Sequence, residues 1–222
     1  MGRRSDDRGG GAPVIRRIVL WLWNEGATAE RRLRAKEGLA YIRYAGHVDD
    51  LDFGEDLGTG LGPGRPFDLA LLRDHVDRAS WDAYVDDPQH FRVGNYIDTI
   101  TRSELTARVD YLYGGPLSGR GMIRHIAMYR WRDRVSEPQR ARLRDELSGL
   151  RTACEALRAI EFGEDLGLGT NHFDWVVEAH FDDLGGLQAY FAHPDQKRVA
   201  CLLDSLATVE GTARLQHRML SG

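Results

Sequence analysis

The chain has 222 residues, 42% of them hydrophobic and 29% charged, with a formal net charge of −4. That is an ordinary globular composition, and its basic and acidic residues are interspersed, which argues against a nucleic-acid surface. No stretch approaches the ~18 apolar residues of a membrane span, and Cys154 and Cys201 lie too far apart in sequence to suggest a disulfide framework, so a cytoplasmic protein is the default expectation.

Residues 1–13 are polar and Gly-rich and read as a disordered tail. Ile15 to Trp23 is β-branched and aromatic, as a strand should be. Its Ile18, Leu20 and Leu22 fall on one side, and Val19, Trp21 and Trp23 on the other. Thr28 to Tyr44 has helical composition, with Thr28 as N-cap and Glu30 in the first turn. A short strand leads into Phe53-Gly-Glu-Asp-Leu-Gly58. The Gly-rich segment from Gly58 to Gly64 then reads as a flexible loop, a candidate lid. A third strand over Phe67–Val76 carries Leu69, Leu71, Arg73 and His75 on one side. Two helical stretches follow, the first ending near Pro88 and the second running from His90 to Arg102. A fourth strand covers Leu105–Tyr113.

The hexapeptide then returns unchanged at Phe162-Gly-Glu-Asp-Leu-Gly167. Ile15-Arg-Arg-Ile aligns with Ile123-Arg-His-Ile, and Trp81-Asp-Ala-Tyr84 with Leu187-Gln-Ala-Tyr190. The chain is therefore an internal duplication. We read units at 14–113 and 122–220, joined by a Gly/Pro/Ser linker at 114–121. Each unit has the order β-α-β-β-α-β, so the expected fold class is α+β, with two tandem ferredoxin-like units. Strand one is apolar on both sides and needs cover on both faces. Two sheets facing each other within one chain would provide it, as a pseudo-dimeric α+β barrel with helices outside and a small-molecule pocket between the sheets.

The strand around His125, the FGEDL turns and the segment Ala-Tyr190-Phe-Ala-His193-Pro194 resemble the stress-responsive A/B barrel (Dabb) family. The resemblance covers nearly all of residues 14–220. It implies a barrel that other members complete by homodimerisation, so a monomer or a homodimer is expected here. The family includes polyketide cyclases of the olivetolic acid cyclase type and a plant hydroxynitrile lyase, which implies acid/base chemistry without a cofactor. The cyclase's Tyr-x-x-His-Pro-x-His pattern is matched by Tyr84 and His90, with Asp87 at the intervening histidine. The second copy keeps Tyr190 and His193 but has Gln196 at the last position. The resemblance therefore implies one working site, in the first copy.

The residues support that chemistry in their own right. A histidine titrates near neutrality and can take a proton. A tyrosine hydroxyl can donate to a developing oxyanion. Asp87 could orient the imidazole. Against this, Asp86 or Asp87 before Pro88 makes a good helix cap, which would leave His90 at the surface.

Strand parity adds Arg17 as an anion anchor or a snorkelling strand-end residue, with His125 equivalent to it. Arg73 and His75 are a pocket mouth or a rim salt bridge with Asp74 and Asp77. Trp21 and Trp175 are pocket walls or plain core. The histidines never adopt a metal-binding spacing, so no metal is expected. The expected function is a cofactor-independent lyase or cyclase acting on a small, apolar, carbonyl-bearing substrate. The alternatives are a non-catalytic ligand-binding or stress-associated protein, and a cofactor-free or haem-dependent oxygenase.

Overall fold

The structure, a computed structural model, describes residues 12–44, 50–115, 122–132, 135–170 and 172–220. Most of the expected tail and of the expected linker lie outside the described residues. The first copy runs β1 (Val14–Trp21), α1 (Ala29–Ile42), β2 (Asp50–Glu55), β3 (Arg65–Pro66), β4 (Leu69–His75), α2 (Arg78–Val85), α3 (Pro88–Asp98) and β5 (Ala107–Tyr113). The second runs β6 (Ile123–Trp131), α4 (Glu137–Ala153), β7 (Ala159–Glu164), β8 (Trp175–Phe181), α5 (Leu184–Ala192), α6 (Pro194–Leu206) and β9 (Ala207–Arg218). The helix starts follow their sequence signals. Thr28 Oγ1 accepts the Arg31 amide at 3.3 Å, and Ser136 forms a capping box with Gln139 ahead of α4.

Two sheets result, ordered β2-β4-β1-β5 and β3-β9-β6-β8-β7. Strand parity makes three layers of core. Ile18, Leu20, Leu72 and Val109 meet Ile126, Met128, Val176 and Leu215 between the sheets. Val19, Trp21, Leu69 and Leu71 pack under α1 and α3 with Leu39 and Ile97. Trp175, Val177 and Phe181 pack under the helices of the second copy. The chain is thus a pseudo-dimeric α+β barrel of two ferredoxin-like units. One expectation is corrected: the space between the sheets is filled by side chains, and the cavity described below lies on the opposite, helix-facing side of the first sheet.

The repeated hexapeptide is a reciprocal clasp between the copies. Asp56 Oδ1 accepts the Gln216 amide at 2.9 Å, and the Leu57 amide donates to the Gln216 carbonyl at 2.8 Å. Asp165 Oδ1 accepts the Asp110 amide at 2.8 Å, and the Leu166 amide donates to the Asp110 carbonyl at 2.7 Å. Each turn thereby grips the last strand of the other copy. Its glycines are required for this. A Cβ on Gly54 would fall 2.6 Å from His217, and one on Gly163 would fall 2.9 Å from Tyr111. Gly58 and Gly167 take φ of 65° and 67°, where a side chain is strained.

The loop after the first clasp is not a lid on the first copy. It docks on the second: Thr59 Oγ1 donates to Gln216 Oε1, and β3 pairs in parallel with β9.

At one end of the inter-sheet layer lies a buried ion network that sequence reasoning missed. Arg16 donates to both oxygens of Asp74 at 2.6 and 2.7 Å and to Glu178 at 2.6 Å. Arg124 donates to Asp52 at 2.6 Å and lies 3.2 Å from Glu178. Tyr111 donates to Glu178 at 3.0 Å. Burial alone would raise the Glu178 carboxyl, but Arg16 and Arg124 hold it well below the usual carboxylate range. Asp74 is therefore spent on Arg16, on the far side of β4 from Arg73. The Glu178→Gln variant removes the buried carboxylate that Arg16 and Arg124 share, leaving Arg16 with Asp74 alone and Arg124 with Asp52. We expect it to lose about 3–5 kcal/mol of stability, read as a lower urea midpoint at neutral pH. A loss below about 1 kcal/mol would contradict this account of the network.

Candidate active site

A cavity of about 310 Å³ opens between the first sheet and helices α1 and α3, within the usual range for small-molecule sites. Arg17, Val19 and Trp21 of β1 form part of its floor, with Leu71 and Arg73 of β4 and Arg108 of β5. Leu39, Val93 and Ile97 face them from the helices, Tyr84 and His90 stand at one side, and Phe91, 52% exposed, marks the rim.

The break between α2 and α3 positions Tyr84 and His90. Asp87 caps α3, its Oδ1 accepting the Gln89 amide at 2.6 Å, and Pro88 opens the helix. This turns His90 back against Tyr84, with ring centroids 4.2 Å apart. Asp87 acts as the cap and not as the group that orients the imidazole. His90 Nδ1 lies 3.3 Å from the Val85 carbonyl. A carbonyl only accepts, so Nδ1 carries the proton and Nε2 keeps its lone pair. Burial first, then the charge of Arg73, lowers the His90 pKa to about 4. The ring is neutral at physiological pH.

Four residues stand side by side across the helix-facing side of the first sheet: Leu51, Arg73, Arg17 and Asp110. Arg17, whose side chain is 14% exposed, commits to Asp110, with Nη1 2.9 Å from Oδ2. It neither snorkels nor faces the inter-sheet space. Asp110 also receives the Trp81 indole N–H at 3.3 Å. Arg73 is 1% exposed, and its Nε and Nη1 have no hydrogen-bond partner among the described residues. Its guanidinium carbon lies 3.4 Å from the centre of the Tyr84 ring. The rim salt bridge expected for Arg73 does not form, because Asp74 points to Arg16 and Asp77 caps α2 through the Ser80 amide at 2.8 Å. Burial first, and then Arg17, presses the Arg73 guanidinium toward losing its proton. A guanidinium nonetheless keeps it at any pH at which proteins fold.

His75 is fully buried behind Tyr84, with ring centroids 5.3 Å apart, and does not line the cavity. The remaining candidates belong to the second copy. Trp175 is core there. His193 caps α6, its Nδ1 accepting the Asp195 amide at 3.2 Å. His125 is bonded to Gln216 at 2.8 Å, and its ring centre lies 6.4 Å from that of Tyr190. None of these four reaches the first-copy cavity.

Asp110 and Arg108 were missed. The available signal was their alternation on β5, which sets both opposite the Arg17 face of β1. Asp110, Asp165 and His172 also converge closely enough to suit a metal ion. Their facing atoms are already engaged with one another and with Arg17, however. Arg17 donates to Asp110, and the Asp110 amide donates to Asp165, with His172 Nδ1 2.8 Å from the same Asp165 oxygen. The trio reads as support for Asp110.

The profile of the Stress responsive A/B Barrel Domain matches residues 15–111 and 123–210. The chain belongs to this family, in two tandem copies. No curated protein gives a significant sequence match. Among solved structures, a dimeric ferredoxin-like protein of unknown function from Thermobifida fusca is 34% identical, covering 46% of this chain and 95% of that one, with a TM-score of 0.42. An anthrone oxidase-like protein covers 96% of this chain and 93% of its own at 10% identity and a TM-score of 0.69. A putative monooxygenase from Fusobacterium nucleatum covers 96% and 94% at 10% identity and a TM-score of 0.58. At that identity the last two bear on the fold alone.

Burial lowers four histidines of this Dabb-family chain: His90 to about 4, His125 to about 3, His217 to about 4, and His180 in the same direction. Each binds its proton more readily unfolded than folded, so stability rises with pH across that interval. The melting temperature should therefore fall as pH drops from about 6.5 to about 4. A flat profile over that range would show that these rings are not held neutral by the fold.

Proposed function

We propose that the chain is a cofactor-independent acid/base enzyme, a lyase or cyclase acting on a small carbonyl-bearing substrate in the first-copy cavity. The observation that carries this reading is the His90–Tyr84 pair. A neutral imidazole with Nε2 unprotonated stands against a tyrosine in a cavity with apolar walls. His90 Nε2 would take a proton from the carbon next to the carbonyl. The Tyr84 hydroxyl would donate to the oxygen as negative charge develops on it. The enclosing apolar side chains strengthen that hydrogen bond by excluding water. The proton on His90 then returns to the leaving group or to the product carbon. The second copy has Gln196 in place of His90, hydrogen-bonded to Tyr190, and so lacks a base; we assign it the role of structural partner.

A second reading is an oxygenase on the same barrel, the activity named for two fold neighbours, an anthrone oxidase-like protein and a putative monooxygenase. Deprotonation of an activated carbon by the same His90 would be its first step, and oxygen consumption during turnover would distinguish it. A binding protein without catalysis would use the same cavity.

The test is turnover of a panel of aromatic and aliphatic aldehydes, ketones and polyketide mimics. His90→Gln should lower kcat by roughly 10²–10⁴-fold and Tyr84→Phe by roughly 10²-fold or more, with both variants folded. The pH profile of kcat/KM should keep its acid limb near the His90 value of about 4. Activity that survives in both variants would overturn the assignment.

A further inference from the structure

The row across the first sheet carries more positive charge than its surroundings neutralise. Arg73 and Arg17 stand directly opposite each other on adjacent strands, an arrangement that is unfavourable for like charges. Among the described residues one carboxylate, Asp110, serves the pair, and Arg17 takes it. A third arginine, Arg108, lines the same cavity. Asp98 is the one acidic residue lining it among the described residues, and it is exposed at the end of α3. The equivalent row in the second copy is Ile160, Ala179, His125 and Gln216. There the outer pair is a neutral hydrogen bond at 2.8 Å, and Ala179 stands where Arg73 does. The duplicated fold thus does not need a cation at this position. The second copy has a buried, incompletely bonded arginine of its own, Arg214, but it matches Arg108 and not Arg73. Such a group costs several kcal/mol as an order of magnitude, and at the Arg73 position the second copy does without one.

We propose that the cavity takes a carboxylate-bearing substrate, its anion seated on Arg73 with Arg17 beside it and its apolar body against Trp21, Leu39 and Val93. This deepens the acid/base reading of the same site and relies on it only for the placement of the carbonyl near Tyr84. Arginine suits the task because its planar donors match a carboxylate geometrically. The apolar walls favour an organic acid over a bare inorganic anion. A consequence for His90 follows. Arg73 is the second cause of its lowered pKa after burial, so an anion on Arg73 relieves part of that repulsion and makes the ring a stronger base when substrate is bound.

The test is calorimetric titration of the purified full chain at about pH 7 with benzoate, hexanoate, benzamide and inorganic phosphate. Wild type, Arg73→Met and His90→Gln would be compared, with urea unfolding of each. We expect benzoate or hexanoate to bind, and benzamide to bind roughly tenfold or more weakly. R73M should weaken carboxylate binding by a similar factor while remaining as stable as wild type or more so, since it removes a buried charge. Bound carboxylate should also raise the His90 pKa, followed by NMR, by roughly one unit.

Failure of both carboxylates to bind at millimolar concentration overturns the proposal. So does equal binding of benzamide, tighter binding of phosphate, or a large loss of stability in R73M with binding intact. The acid/base reading fails separately: carboxylate binding retained in H90Q with turnover also unchanged would leave the anion site standing and remove the catalytic role.

Discussion

The two copies of this chain are held in register by one reciprocal contact. Each FGEDLG turn places its aspartate on the backbone of the other copy's last strand, at Gln216 and at Asp110. Glycine allows the approach at Gly54 and Gly163, and positive φ at Gly58 and Gly167 turns the chain away afterwards. Such a contact constrains side chains as well as strands. The residue whose amide is gripped also presents its side chain to the helix-facing layer. In the first copy that side chain is Asp110, the partner of Arg17. The second copy thus helps to set the electrostatics of a cavity whose lining comes wholly from the first.

Divergence between the copies lies on the helix-facing sides of the sheets and at the α2–α3 break. Arg17 and His125, Arg73 and Ala179, His90 and Gln196, and Asp110 and Gln216 occupy matching places. In each pair the first-copy residue is charged or titratable as a base, and the second-copy residue is neutral, with Arg214, the match of Arg108, as the cation beside His125. The inter-sheet layer has departed from symmetry as well, with Glu178 standing where the first copy has Leu72. Its network of two arginines and three carboxylates spans both copies. That layer fixes how the sheets face each other, and the helix layer holds the proposed site.

Much of this was legible in the sequence. The repeat, the β-α-β-β-α-β order and the two-sided burial of β1 follow from a hexapeptide, from helix caps and from strand parity. Tyr84 and His90 were singled out through the resemblance of their segment to the cyclase pattern, and their ring centroids lie 4.2 Å apart. Parity put Arg17 with Val19 and Trp21 correctly, but it does not say which side of a doubly buried strand faces helices. The cavity was therefore expected between the sheets. Arg16 and Arg124 point the other way from their neighbours Arg17 and His125, and their partners lie 58 to 162 residues away for Arg16 alone. No local pattern announces pairings at such separation. The Gly58–Gly64 loop reads as a lid when only its own copy is considered. Its docking site, Gln216, belongs to the other copy.

The central claim is that the first copy holds an acid/base site and the second does not. The most direct measurement needs no knowledge of the natural substrate. A panel of small ketones and 2-oxo acids would be held with the protein in deuterated buffer, and exchange of the C–H next to the carbonyl followed by proton NMR. The account predicts that wild type accelerates exchange, that His90→Gln abolishes the acceleration, and that Gln196→Ala in the second copy leaves it unchanged. Exchange at the buffer rate with every compound, or acceleration that survives in His90→Gln, would contradict it.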